Sequence, residues 1–349
     1  MVIKKIEVQD SKGNVYYPYT ESSVVKYGYS NVGNTLKNLE QLSNTNILIN
    51  SNFRINQRNQ EQYVVDGSIN SSLYTVDRWI STVLTDANAE VVNINKLDNC
   101  IELVPISGGV NGEPEARLKQ ILEEEDTKML RGKTLTFSLK VLEDCSDVGI
   151  DISSSIDNNI YSLAFVNIEG GDILSYTFEV PDTATNLGVQ FKTSGINNSL
   201  KVEWTKLEIG EKVTPYYPRK YVEELTLCQR YYQIGKIDQC LFTTENGQLL
   251  TNIHLSTPMR ILPIMTLCSK AYFHKYDGGD PILLKDEGDV LQVEGFGNYY
   301  NHLSCWIYND TTTAPSEFAD RLIGTINSNS LSDNSLSSFV VYTLDAEIY

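Results

Sequence analysis

Histidine is nearly missing from this chain: 3 of 349 residues, His254, His274 and His302. None stands in HExxH, HxH or a His/Cys cluster of zinc spacing, which argues against a transition-metal centre. There is no GxSxG elbow, no Cys/His pair that stands out as a nucleophile set, and no GxxxxGK[ST] phosphate loop. The 6 cysteines (Cys100, Cys145, Cys228, Cys240, Cys268 and Cys305) form no CxxC pair and lie far apart. No run approaches the roughly 20 apolar residues that span a bilayer. The opening MVIKKIEVQD carries lysines without an apolar segment or a small-residue cleavage site, so no secretory signal is read. With no export signal, the cysteines are expected to be free and mostly buried thiols, made in a cytoplasm.

Cations are scarce too: Lys+Arg 28 against Asp+Glu 45, a formal charge of −17. That balance disfavours a nucleic-acid partner, which must be met with clustered cations, and disfavours docking on anionic lipid. The expectation is therefore no catalytic set, no metal, no cofactor, no nucleic acid and no membrane insertion. Paired carboxylates of a glycoside hydrolase meet only in the fold, so that chemistry stays open at this point.

What the chain has in quantity is short polar residues and tyrosine: Asn 30, Ser 30, Thr 26, and Tyr 21 against Phe 10 and Trp 3. These favour strands and turns over helices. The length predicts two or three domains. Ile3 to Thr20 reads as a hairpin around the turn cluster Asp10–Asn14. Val25, Tyr29, Val32, Leu36 and Leu39 then follow a 4, 3, 4, 3 spacing, a short heptad seam compatible with three strands of coiled coil. Gly28 and Gly33 weaken it, and a single amphipathic helix packed on the hairpin is the alternative.

From Ile47 to about Pro218 the pattern is all-β. Candidate strands are Glu90–Ile94, Ile101–Pro105, Thr134–Leu142, Val148–Ser153, Ser175–Val180, Asn186–Lys192 and Leu200–Ile209, which suggests a two-sheet sandwich or jelly roll. A helical turn fits within Glu115 to Met129, whose run Glu123–Asp126 reads most economically as a solvated turn before the strand at Thr134. A short helix is expected over Val222–Tyr231. A second β-rich region follows, with a surface loop at Gly324–Ser338 and a terminal strand at Ser338–Leu344. The expected fold is mainly β. A hairpin and helical segment (1–46) precede a jelly roll (47–218) and a β-rich tip (219–349).

Six segments in order carry a resemblance: Ile47–Arg58, Val76–Trp79, Leu130–Ser138, Trp204–Gly210, Glu224–Gln233 and Pro258–Pro263. Together they resemble the carbohydrate-binding-module-type jelly roll and following domain of bacteriophage tail fibre and receptor-binding proteins, over about 60% of the chain. Tyr16–Thr20, then Ser22–Val25 and the heptad, are similar to fibre N-termini that attach to a baseplate or tail. The resemblance implies a homotrimeric tail appendage in a virion or a phage-tail-like particle. Its N-terminus would be held by baseplate or tail proteins, and its tip would meet a bacterial surface glycan without catalysis. A tail-associated depolymerase and a purely structural baseplate component are the rivals.

Physical chemistry reads Trp79 and Trp204 first as core packing, each indole N–H needing one acceptor, with sugar stacking as the alternative. Asp77 and Arg78 read as a turn salt bridge or backbone anchors. Tyr272, His274 and Tyr276 share one face of a predicted strand. Together with Asp277, Tyr299, Tyr300, His302 and Trp306 they form the candidate glycan patch, since aromatic faces stack on pyranose rings and polar side chains bind hydroxyls. Ordinary cross-strand packing is the alternative. Asp277, Asp280, Asp286, Glu287 and Asp289 read as a solvated loop, or else a calcium or sugar-hydroxyl site that does not match EF-hand spacing.

Overall fold

The computed structural model describes residues 8–9, 11–13, 15–16, 26–27, 30–31, 44–155, 158–237, 242–243, 249–268, 271–275, 282–285, 288–295, 300–308, 324–327 and 340–347. For the N-terminal strand pairs and most strands beyond Gly235 it describes backbone pairing alone. β1 (Val8–Gln9) pairs with β2 (Val15–Tyr16), in line with the expected hairpin. β3 (Lys26–Tyr27) then pairs with β4 (Ser30–Asn31). This extended pair replaces the first turns of the helix that the heptad spacing predicts. Physically, Gly28 would cost a helix interior roughly 1 kcal/mol against Ala. The seam positions Val25, Tyr29, Val32, Leu36 and Leu39 lie outside the described residues.

Twelve strands build a sandwich. In chain order β5 (Gln62–Asp66), β6 (Ser72–Tyr74), β7 (Ile80–Thr82) and β8 (Val91–Lys96) come first. β9 (Ile101–Ser107), β10 (Glu115–Ile121), β11 (Thr134–Val141) and β12 (Cys145–Ser155) follow. β13 (Asn158–Ile168), β14 (Ile173–Glu179), β15 (Gly188–Ser194) and β16 (Leu200–Ile209) complete it. One sheet runs β13-β12-β15-β10-β7-β6, the other β14-β11-β16-β9-β8-β5, and the chain crosses repeatedly between them. Alternation explains the layering: Tyr63 and Val65, Val92 and Ile94, and Ile101 and Leu103 point into one core, with more exposed residues between. At its centre Trp79 packs between Phe53 (5.3 Å) and Phe191 (5.7 Å).

The stretch Glu115–Met129 holds its expected helical turn only in its second half. Glu115–Ile121 is a central strand, paired across its length with β15, and only the acidic run that follows is helical, as α1 (Glu124–Leu130). Strand pairing on both sides and burial of Ala116 and Leu118 override the local helical preference of Glu, Ala, Leu and Lys. Glu124, Glu125 and Asp126 fall in the first turn of α1, where negative charge complements the helix dipole.

Beyond the sandwich comes α2 (Tyr221–Gln229), close to the expected helix. Then follow β17 (Tyr232–Ile237), β18 (Phe242–Thr243), β19 (Leu249–Met259), β20 (Ile264–Leu267) and β21 (Ala271–Lys275). The chain ends with β22 (Ile282–Lys285), β23 (Val290–Gly295), β24 (Tyr300–Tyr308), β25 (Gly324–Asn327) and β26 (Val340–Asp345). Seven of these form a sheet ordered β17-β26-β20-β23-β24-β19-β18, and β22-β21-β25 form a three-stranded one. β25 occupies the start of the predicted surface loop at Gly324, and β26 matches the predicted terminal strand to within two residues. Of the four cysteines whose side chains are described, all are free; Cys100, Cys145 and Cys228 are buried and Cys268 is exposed. Among the described residues no helix is long and apolar enough to cross a membrane.

Candidate functional site

Four of the six segments singled out in the sequence meet where the sandwich joins the seven-stranded sheet. Trp79 is core, and its indole N–H donates to the Asn50 carbonyl at 3.0 Å. The two residues before it face the junction. Asp77, fully buried, accepts the Gln57 backbone N–H (2.7 Å) and the Gln57 side-chain amide (2.6 Å), and that amide also donates to the Tyr232 carbonyl (2.8 Å). Arg78 takes φ +72°, lays its guanidinium 3.6 Å from the Tyr231 ring centroid and donates to the Ile121 carbonyl. The Arg260 guanidinium lies 5.8 Å from the same ring centroid, and its backbone N–H bonds the Arg230 carbonyl. Asp77 and Arg78 are thus backbone anchors, as one sequence reading has it, but they do not pair with each other. Trp204 is not core: it is half-buried and stacks on Tyr216 at 4.7 Å with 5° between the rings.

Beside this weld lies an open cleft of about 470 Å³, within the size range of small-molecule sites. Its sandwich wall is the β6–β7 edge, with Ser72, Tyr74 and Ile80; its other wall is the seven-stranded sheet, with Tyr232, Ile264, Thr266, Thr343 and Asp345. Arg58 lies at its base, 4.0 Å from the Tyr232 ring centroid and 5.7 Å from that of Tyr74. It donates to Glu347 at 2.6 Å and to Asp345 at 3.3 Å. Burial works against the Arg58 charge, but Glu347, Asp345 and Asp77 outweigh it and hold the guanidinium firmly protonated. Glu347 is wholly buried, and burial pushes its carboxyl above the usual range, with Arg58 and Arg78 pulling the other way. Burial also pushes the Tyr232 phenol up to about 12.

Backbone register shows how far this surface extends. Tyr232 pairs with Asp345 and Asp345 with Ile264; Thr266 pairs with Val290, and Gln292 with Trp306. Directly paired residues, and residues two apart along a strand, occupy the same face of a sheet. Tyr300, His302 and Trp306 of β24 therefore share the face that carries Tyr232, Asp345 and Ile264. Tyr272 and His274 sit in β21 of the other sheet, so the predicted patch is divided between two sheets. Tyr276, Asp277 and Tyr299 lie outside the described residues, as do Asp280, Asp286 and Glu287. Sequence reasoning missed Arg58, Tyr74, Tyr232 and Asp345, which are too far apart in the chain for any local spacing to join them.

No protein-family model matches the chain, and no curated protein matches it. Solved structures overlap it weakly. A carbohydrate-binding module, TmCBM61, solved in complex with β-1,4-galactotriose, is 13% identical over 48% of this chain and 99% of its own, with a TM-score of 0.27. The CBM22-1–CBM22-2 tandem of Paenibacillus barcinonensis Xyn10C covers 87% of this chain and 96% of its own at 7% identity, TM-score 0.28. The enzymatically active domain of bacteriophage CBA120 tailspike protein 4 is 16% identical over 47% of this chain and 21% of its own, TM-score 0.27. Scores this low carry no argument about ligand or activity.

Proposed function

We propose that this protein is a non-catalytic glycan-binding appendage of the phage tail fibre kind, with the junction cleft and its continuous sheet face as the binding surface. The cleft carries the reading. It joins aromatic and apolar walls to a carboxylate and three hydroxyls (Ser72, Thr266, Thr343), the mixture that a pyranose, apolar on its ring faces and polar at its rim, requires. Asp345 is 37% exposed and offers acceptors to sugar hydroxyls, whereas Arg58 is covered by its partners. The open part of the cleft is therefore acidic and favours neutral or amino sugars over uronic or phosphorylated ones. Hydrolysis is disfavoured because Glu347, the second carboxylate of the cleft, uses one oxygen on Arg58 and the other on the Arg78 backbone N–H. Its side chain is fully buried, so it does not face a bound sugar as general acid or base. In this reading residues 1–46 hold the particle's baseplate or tail and gather three copies, so that weak single sites add by avidity.

The test uses the full chain on an array of neutral, amino and acidic bacterial saccharides, with titration calorimetry of the hits and an assay for new reducing ends. Binding of neutral or amino sugars is expected to weaken about tenfold or more in Trp306→Ala and Asp345→Asn, with no new reducing ends. Binding unchanged in both variants, or sugar cleavage, would refute it. Sedimentation of the full chain as a monomer would refute the trimer.

A further inference from the structure

The junction cleft sorts its lining by polarity. On the sandwich wall Tyr74 of β6 is the register partner of Ile80 of β7, so ring and aliphatic side chain stand next to each other on one face. On the sheet wall Tyr232, Asp345 and Ile264 form one row across three neighbouring strands. Thr343 and Thr266 are partners in the next row of that face. Ile80 and Ile264 thus line the cleft from opposite walls. Ile264 is 46% exposed and Ile80 is half-buried, so both have surface left to cover. One strand spacing, about 4.7–4.9 Å, separates Ile264 from Asp345, the scale of a single sugar ring.

We propose that the cleft selects a 6-deoxyhexose, a sugar that carries a methyl group where common hexoses carry a hydroxymethyl. The assignment rests on the reading of the cleft as a glycan site and names the sugar class that site takes. With ring hydroxyls on Asp345 and the threonines, the exocyclic carbon falls between the two isoleucines. A methyl there buries apolar surface on both walls. Neither isoleucine can donate or accept a hydrogen bond, so a hydroxymethyl in the same place gives up its bonds to water without replacement. An acetamido group meets that obstacle twice, with an N–H and a carbonyl to satisfy, and a C6 carboxylate meets it with a charge.

The experiment titrates the full chain by NMR with two matched pairs of methyl glycosides, each pair differing by a single oxygen: α-L-fucoside against α-L-galactoside, and α-L-rhamnoside against α-L-mannoside. In at least one pair the deoxy sugar should bind about tenfold or more tighter. Ile80→Thr and Ile264→Thr replace an ethyl group by a hydroxyl at positions outside the core. Each should lose most of that preference while still binding the hydroxymethyl sugar. Saturation transfer from the unaltered protein gives a readout that needs no variant: the C6 methyl should receive more than the ring protons. Equal affinity within both pairs, a preference unchanged in both variants, or a methyl less saturated than the ring overturns the inference and leaves the glycan site standing. Tighter binding of methyl N-acetylglucosaminide than of either deoxy sugar overturns it in the same way. If no saccharide of any class binds, the glycan reading itself fails and this assignment falls with it.

Discussion

Glu347 decides whether the C-terminal sheet is locked to the sandwich through a buried charge cluster. Its carboxylate is buried, and its two oxygens hold Arg58 Nη2 at 2.6 Å and the Arg78 backbone N–H at 2.7 Å. Glu347→Ala strands a guanidinium that is itself largely covered, with Asp345 at 3.3 Å as its remaining acid partner. Removing one side of a buried pair costs about 3–5 kcal/mol. Asp345 and the Tyr232 ring 4.0 Å away keep part of the stabilisation, so the low end, about 3 kcal/mol, is expected. Glu347→Gln keeps one acceptor and turns an amide N–H₂ toward the donor that the second oxygen accepted, a loss of about 1.5 kcal/mol. The pH dependence adds a second constraint. A carboxyl whose folded pKa is raised binds more protons folded than unfolded, so its contribution is complete on the acid side and is lost as pH climbs through the folded value. Glutamine imitates the protonated acid, so the Gln deficit should be largest on the acid side and shrink as pH climbs through the folded value. Urea unfolding of the full chain, followed by tryptophan fluorescence and far-UV circular dichroism, measures both. An Ala loss below about 0.5 kcal/mol, or a Gln deficit that grows with pH, would refute the lock.

Other outcomes follow from single contacts. Trp79→Ala empties the centre of the aromatic core and should cost about 3–5 kcal/mol in the same unfolding assay. Gly108 takes φ +87°, and a Cβ there would stand 1.8 Å from the Ala89 carbonyl oxygen. Gly108→Ala should therefore lose about 3 kcal/mol or fail to fold, checked by thermal melting. Burial raises the Cys100, Cys145 and Cys228 thiols, so iodoacetamide should label Cys268 in the native protein and those three only after denaturation, read by peptide mass spectrometry.

Period-two alternation made most sandwich strands legible, because a residue buried on one face of a sheet must alternate with one that is not. That is why Ile101–Ser107, Thr134–Val141 and Leu200–Ile209 stand within two residues of their predicted bounds. Glu115–Ile121 was opaque because its side chains are good helix formers and its strand state is imposed by β15 and β7 on either side. The heptad over Val25–Leu39 misled at its start because period alone cannot weigh glycine against seam. The Val76–Trp79 signal was visible as a motif while its meaning was not: Trp79 turns into the core, whereas Asp77 and Arg78 turn outward to the next sheet.

Composition and local pattern were enough to determine an acidic, strand-rich chain with a two-sheet sandwich and a second β region, because charge and alternation are properties of neighbouring residues. Tertiary structure alone decided that Arg58, Tyr74, Tyr232 and Asp345 surround one cleft and that the aromatic patch splits between two sheets. Those juxtapositions depend on which strand lies beside which. Strand order is set by the packing of the whole sheet, and no window along the chain contains it.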